Sequence, residues 1–362
     1  MKIGILTYHR PHNYGGCLQA IATRVVLEQL GHEVYYVDYW PEYHQQSYDV
    51  FNLELFKAHS WYGKPKYLLD LLLRYKSIKK RQKNFKSFIA KYIEPYCRPL
   101  SEEYDAVIYG SDQIWRVQKS LGGYNPIYFA NNDIRAKYHI AFSASMGILP
   151  ATDKAREQVR QLLSHFNRIA VRETNLLDFV KKIGYSQAVQ TIDPTMMLDS
   201  CSWDATVPVD PYGGQKYILV YILRPHYFDM DAIKEFAKRE GLIVKVLKGN
   251  ATKADTETLI TTAGPEEFLS LVKNAEYVIT SSFHGLAFSL IYHKQVYASC
   301  KENGDRLSSL LSKIGLPDHF ITADSQTIEF KNQIDYAIVE TRISALVNLS
   351  MSYLENIESN EN

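Results

Sequence analysis

Cysteine is scarce in this chain: four in 362 residues, and Cys17, Cys97, Cys201 and Cys300 stand far apart with no CxxC pair. That spacing excludes a zinc ribbon and argues against a disulfide framework. No His, Asp and Glu cluster shows metal-ligand spacing, so no metal is expected. No run of 18 apolar residues occurs, which excludes a membrane-spanning helix. No excess of one charge exists either, since 41 Lys and Arg meet 40 Asp and Glu and leave a net charge of +1. A chain so balanced carries no overall field that would draw nucleic acid. Residues 1–6 read as a strand rather than a signal peptide, so a reducing, cytoplasmic compartment is expected. Internal repeats and low-complexity segments are lacking as well.

What is present is ordinary core material and an excess of one aromatic. Hydrophobic residues make up 46% and charged residues 22%, enough for two domains of usual size. The 27 tyrosines stand out. Each offers an apolar ring with a polar tip, suited to core boundaries and also to a sugar or peptide groove.

The pivotal stretch is 277–288. Tyr277 to Thr280 suit a buried parallel strand, all four being β-branched or aromatic. Then come Ser281, Ser282, Phe283, His284 and Gly285, before a helix restarts. Ser281 is the predicted cap of that helix, and Gly285 allows close approach of a ligand or backbone. His284 thus stands where open α/β sheets bind ligands. Either it belongs to a site or it hydrogen-bonds the loop.

The same arrangement recurs along the chain. Strand Lys2–Thr7 leads through Asn13, Tyr14, Gly15 and Gly16 into a helix that stops at Gly31, and Glu33–Asp38 is the next strand. Paired glycines let backbone N–H groups face an anion or hydroxyl, or simply make a tight turn. The loop is not GxGxxG and carries no dinucleotide reading. Strand 106–109 ends at Gly110, Ser111, Asp112, Gln113, Ile114 and Trp115. Strand 138–143 is followed by Ala144-Ser145-Met146-Gly147. Strand 168–171 ends at Arg172-Glu173, and 190–192 leads into Asp193-Pro194-Thr195. Residues 200–214, with two prolines and two glycines, read as a linker. A second series of strands then runs 217–223, 243–247, 277–280 and 295–298, the first two ending at Arg224 and Lys248. Helices are predicted at 231–240, from Pro265 to Asn274, at 306–314 and at 335–357. In parallel sheets such polar strand ends converge on one edge and share a crevice.

Between about 49 and 99 this rhythm breaks. Apolar residues from Tyr67 to Tyr92 recur every three or four positions, which predicts a long amphipathic helical region, continuous or broken once. From Lys64 to Lys91 there are ten Lys or Arg and one acid, Asp70. This face is either a solvated insertion or a surface that meets anionic lipid or a diphosphate-linked acceptor.

Taken together, Asn13-Tyr14-Gly15-Gly16, the 110–115 block, Val171-Arg172-Glu173, Asp193-Pro194-Thr195 and the 281–285 turn resemble the polysaccharide pyruvyl transferase family. The resemblance spans about residues 3–316. It implies an α/β protein of two doubly wound, Rossmann-like domains facing a central cleft, similar to GT-B enzymes. The expected division is 1–200 for the acceptor, with a basic helical insertion at about 50–99, 215–334 for the donor, and 335–362 as a terminal helix and tail. It also implies transfer of a pyruvyl group from phosphoenolpyruvate, a co-substrate with no further cofactor, onto two sugar hydroxyls as a cyclic ketal. The acceptor would be a sugar in a capsular or exopolysaccharide repeat unit, lipid-linked and met at the inner face of the cell membrane.

In that reading His284 protonates the enol carbon, a role its ordinary pKa suits. The family commonly has an arginine two residues before this histidine, and here that position is Ser282. Arg172, Arg224 and Lys248 are then the candidate cations for the donor, beside Ser281, Ser282 and Gly285. Arg172 is equally suited to pair with Glu173. Asn13, Tyr14, Gly15, Gly16, Gln113 and Trp115 are the expected acceptor side, with Asp112 as base toward the attacking hydroxyl. Asp112 could instead cap a helix, and Trp115 could pack in the core. His9 and His12 rank low. Competing functions are a nucleotide-sugar glycosyltransferase, with Glu266 or Glu267 near the ribose, and a glycan-binding protein without activity.

Overall fold

Short runs rich in β-branched and aromatic residues form two parallel sheets in the computed structural model, which describes residues 1–46, 49–51, 53–210, 214–301, 304–323, 330 and 333–358. The first sheet uses β1 (Lys2–Leu6), β2 (Glu33–Val37), β3 (Cys97–Arg98), β4 (Glu103–Tyr109), β5 (Arg135–Ala144), β6 (Arg168–Val171) and β7 (Val189–Gln190). The second uses β8 (Tyr217–Tyr221), β9 (Ile243–Leu247), β10 (Leu259–Ile260), β11 (Tyr277–Thr280) and β12 (Gln295–Ala298). Their strand orders are β3-β2-β1-β4-β5-β6-β7 and β10-β9-β8-β11-β12. Each order therefore reverses beside its first strand, between β1 and β4 and between β8 and β11. All these pairings are parallel, which buries both sheet faces under helices and explains strands as apolar as Tyr217–Tyr221. The result is the two-sheet, GT-B-like α/β arrangement.

The two halves share a core. Tyr14, in the helix Tyr14–Gln29, stacks on Phe268 at 4.6 Å between ring centroids and on Phe85 at 5.4 Å. Phe85 belongs to the expected insertion, which forms one unbroken helix over Gly63–Tyr92. No glycine or proline interrupts it after its first turn, so nothing forces a break. The C-terminal part of this helix is a joint rather than a solvated face. Arg81, buried, donates to the Tyr14 hydroxyl at 2.8 Å and to the Ala263 carbonyl at 3.2 Å. Asn84 donates to the Thr262 carbonyl at 3.0 Å. The basic face expected across 64–91 thus loses Arg81 to the interior.

Other expectations change in detail. The stretch 200–214 is not all linker, because Asp199 caps a helix Ser200–Thr206 whose Trp203 is buried and donates to the Thr195 carbonyl at 3.0 Å. Residues 211–213 lie outside the described residues. The strand expected at 190–192 is only β7, and Asp193 instead caps the short turn Pro194–Met197 through Thr195 N–H. Strands β3 and β10 have no signal of their own, each being two residues long at a sheet edge. The last helix, Tyr336–Glu355, returns to the first sheet, where the Tyr353 hydroxyl donates to the Ala141 carbonyl at 3.0 Å and Ser350 Oγ accepts the Ile192 N–H at 2.9 Å.

Candidate functional site

Both sheets aim their switch points at the junction between them. The loop after β1 ends at Asn13 and runs into the first helical turn with Gly15 and Gly16, and the loop after β4 carries Ser111, Asp112 and Gln113. From the other side, β8 ends before Arg224 and β11 before Ser281 to Gly285. Ligands of doubly wound sheets bind outside the carboxyl ends of strands at such points. Two helix N-termini also meet here, those of Tyr14–Gln29 and Phe283–Ile291, so partial positive charge collects from both sides.

Their contact is between Gly15 and His284. A Cβ built on Gly15 would fall 1.9 Å from His284 Nδ1, so only glycine lets the imidazole lie against that helix. Gly285 serves a second close approach, since a Cβ there would meet Thr280 Oγ1 at 2.4 Å and the Tyr221 ring at 3.0 Å. It thereby seats the helix on β11 and β8. His284 Nε2 lies 3.8 Å from Asp193 Oδ2 and makes no hydrogen bond. Burial lowers the His284 pKa below 6.5; Asp193 opposes that shift and Arg172 adds to it.

A buried ion cluster surrounds this histidine. Arg172 donates through Nη1 to Asp193 and through Nε to Glu173 at 3.2 Å. Ser111 Oγ donates to Asp193 Oδ2 at 3.2 Å, and Thr195 supplies its N–H and hydroxyl to Oδ1 at 3.0 and 2.7 Å. Burial alone would raise the Asp193 pKa, but Arg172, His284 and Thr195 outweigh it and bring it to about 2. Burial works against the charge on Arg172 too, yet Glu173 and Asp193 hold its pKa above the usual arginine value. Ser145 Oγ donates to Glu173 Oε1 at 2.7 Å. Three polar atoms of the cluster remain buried without a hydrogen-bond partner: Arg172 Nη2, Glu173 Oε2 and His284 Nε2. Native interiors rarely leave such groups unmet unless a ligand or water serves them.

Arg306 completes the cluster, and the sequence reading missed it. It stands in the first turn of the helix Asp305–Lys313, with Nε 4.0 Å from Glu173 Oε1 and a side chain only 17% exposed. Burial and the nearby Arg172 lower its pKa, against the pull of Glu173. Together with Arg172, Glu173, Asp193 and Phe283 it lines a cavity of about 160 Å³. The available signal was a basic residue at a helix start shortly after a strand end.

The remaining predicted residues divide. Asp112 adopts a left-handed backbone, φ 63°, which aspartate tolerates, and its half-buried carboxylate makes no side-chain hydrogen bond. It caps no helix; its carbonyl accepts the N–H groups of Ile114 and Ser145. Gln113 reaches Gly147, and Asn13, exposed, caps its helix by accepting the Gly16 N–H at 3.2 Å. Gly16 is pressed against Pro11.

Two expected acceptor residues are corrected. Trp115 is fully buried, its indole N–H bonded to the Tyr128 carbonyl at 2.9 Å, so it presents no face to a sugar. Tyr14, 1% exposed, is held in the joint described above. The predicted cap also moves by one residue. Ser282 accepts the Gly285 N–H at 3.3 Å, whereas Ser281 Oγ accepts the N–H groups of Leu223 and Arg224 at 2.8 and 3.0 Å. Arg224 is half-buried beside Arg306, while Lys248 is exposed at the end of β9. A buried glutamine that the sequence reading passed over, Gln19, ties Thr7 to the Ser111 N–H at 3.0 and 3.1 Å and so locks the two loops together.

One group with metal-ligand chemistry, His9, Asp38 and Cys97, is gathered only by the fold. Arg10 already bonds both Asp38 oxygens, at 3.0 and 3.1 Å, and Cys97 Sγ at 3.6 Å, supplying the positive charge there.

Among solved structures, the chain is similar to S. aureus MnaA in complex with UDP at 11% identity and a TM-score of 0.44, covering 99% of this chain and 91% of that one. It is also similar to a putative UDP-N-acetylglucosamine 2-epimerase from Listeria monocytogenes, at 12% identity, TM-score 0.47, and 98% and 90% coverage. E. coli heptosyltransferase WaaC with ADP follows at 12% identity, TM-score 0.39, and 96% and 100% coverage. No curated protein matches the sequence. The family model for polysaccharide pyruvyl transferase matches residues 13–298, from the glycine loop through β12, and the chain belongs to that family of transferases.

Proposed function

We propose that this protein moves a pyruvyl group from phosphoenolpyruvate onto two hydroxyls of a sugar in a lipid-linked polysaccharide repeat unit, such as one for a capsule or exopolysaccharide. The observation that carries the reading is the pair of buried, unpartnered nitrogens, Arg172 Nη2 and His284 Nε2, beside Arg306. Together with two helix N-termini, these groups suit a small ligand bearing both a carboxylate and a phosphate. Arg306 supplies the cation that the family's common arginine would give at position 282.

His284 donates a proton to the enol methylene carbon, which leaves the adjacent carbon electrophilic. A sugar hydroxyl adds to that carbon and gives its proton to Asp112. The carbon–oxygen bond to phosphate then breaks, and a second hydroxyl closes the ketal. Two hydroxyl protons are released, one replaces the proton given to carbon, and one leaves with phosphate. Burial disfavours the charged form of His284, whereas the donor's negative charge favours it. Substrate binding therefore recruits the proton that the first step consumes. Asn13, Gln113 and Asp112 face the acceptor from the loops after β1 and β4.

The nucleotide-sugar alternative loses the acids it would need. Glu266 accepts from Tyr92 at 3.0 Å and Lys91 at 3.1 Å, and Glu267 bonds the Gly264 N–H and Asn84. Both clamp the helix Gly63–Tyr92. Incubation with phosphoenolpyruvate or a UDP-sugar and a glycolipid acceptor, followed by mass spectrometry, separates the readings. A pyruvyl ketal gain supports this function, and a hexose gain rejects it.

A further inference from the structure

The helix Gly63–Tyr92 is about 45 Å long, and its two ends live in different surroundings. Its buried residues, Arg81, Phe85, Phe88, Ile89 and Tyr92, all lie in the C-terminal part. The other end packs on the preceding segment, where Tyr67 meets Phe51, Phe56 and His59. Trp61 and Tyr62, just before it, are 82% and 73% exposed, and Leu68, Leu69, Leu72 and Leu73 are also exposed. Isolated exposed leucines are normal, but six large apolar groups gathered on one projecting tip are not.

Cations continue the same stripe. At 100° per residue Leu68, Leu72, Lys76 and Lys80 form one ladder, with Lys79 and Lys83 beside it, all four lysines exposed. The outward face is thus apolar for its first turns and basic for the next. It is segregated along the axis, unlike a helix that lies flat on a bilayer with polarity divided around its circumference. From Leu72 to Lys80 the rise is about 12 Å, comparable with the depth of a headgroup layer. Tryptophan and tyrosine at the tip favour the membrane–water interface. A second copy is the poorer occupant, because a two-fold contact would set these lysines against their own copies. No helix of the described residues is long and apolar enough to cross a membrane, so the contact is peripheral.

We propose that residues 61–83 form an oblique membrane foot, with Trp61, Tyr62 and the four leucines entering an anionic leaflet and Lys76, Lys79 and Lys83 meeting its headgroups, while Lys80 pairs with Asp255. The inner end of the basic stripe opens on a cavity of about 750 Å³ lined by Lys79, Lys86, Arg10, His12 and Trp40. His12 directly precedes Asn13, the cap of the helix Tyr14–Gln29, so the cavity extends from the foot to the start of that helix. A lipid-carried acceptor would reach the site by that route. The docking surface itself does not depend on the chemistry of transfer.

Sedimentation with vesicles tests it without any activity readout. The full chain should bind vesicles of about 30% phosphatidylglycerol, bind neutral phosphatidylcholine weakly, and dissociate as salt rises. Leu72→Ser with Leu73→Ser, both exposed and outside the core, should reduce binding about tenfold. Lys76→Gln with Lys79→Gln should reduce it on anionic vesicles alone. Circular dichroism checks that each variant is folded. Equal sedimentation of parent and the leucine variant would overturn the proposal. So would a parent dimer that the leucine variant turns into a monomer while neither binds vesicles, which would make the tip a self-association surface.

Discussion

The imidazole of His284 lies against the backbone of Gly15, so close that a methyl group on Gly15 would fall 1.9 Å from Nδ1. Two helix starts from opposite halves of the chain are joined by this contact. Gly15→Ala should therefore displace His284 rather than unfold the protein. A shift of about 1 Å in a reacting group costs roughly 100-fold in turnover. Turnover should fall by about that factor while the denaturant midpoint changes little; a fully active Gly15→Ala would remove the positional argument.

The pH dependence has a definite sign. Burial sets the His284 pKa below 6.5, and the proton donor must be charged to act. In the free enzyme kcat/KM should decline as pH rises through that lowered value. The negative charge of bound phosphoenolpyruvate should raise it, so the corresponding limb of kcat should lie at higher pH. His284→Gln should lose this limb and about 100-fold or more in kcat. Coincident limbs in the two profiles would contradict recruitment of the proton by the donor.

Arg306 should matter for donor affinity. Arg306→Ala should raise the KM for phosphoenolpyruvate about tenfold to 100-fold, the cost of about one charge-assisted contact. Adding Ser282→Arg in that background returns a cation to the family's usual position. Partial recovery of KM is expected despite the loss of the helix cap, worth about 1 kcal/mol. An unchanged KM in Arg306→Ala would release this residue from the site.

How much of this could be read from residues alone depended on range. Polar residues after apolar runs marked Arg172, Asp193 and His284, because strand ends in a parallel sheet converge whatever the loop lengths. Choosing between Ser281 and Ser282 as cap required knowing where the backbone turns helical, a matter of one residue. For Trp115 the acceptor side and the core both stayed open, because nothing local announces that Tyr128 awaits its indole N–H. Arg306 was hidden for a similar reason: its helix was foreseen, but only the pairing of the two halves brings it to Glu173. Arg81 read as one more surface cation in a basic run, and its partner Tyr14 lies 67 residues away.

Stability should hinge on Asp193. Asp193→Asn leaves Arg172 buried with a weaker partner, and breaking such pairs costs about 3–5 kcal/mol. The native pKa of about 2 lies below the ordinary carboxylate value of 3.8, so this contribution is complete above about pH 4. It fades as pH falls toward 2. Urea unfolding of the parent and Asp193→Asn should differ most near neutrality and converge in acid; a constant gap would exclude linkage through this carboxylate.

Transfer carried out in deuterium oxide tests the account most directly. With phosphoenolpyruvate and a lipid-linked oligosaccharide acceptor, mass spectrometry of the product should show a pyruvyl ketal with a single deuteron in its methyl group. The His284→Gln variant should form it at a small fraction of the parent rate. A product without deuterium in the methyl group, or an acceptor that gains a hexose from a UDP-sugar and nothing from phosphoenolpyruvate, would contradict it.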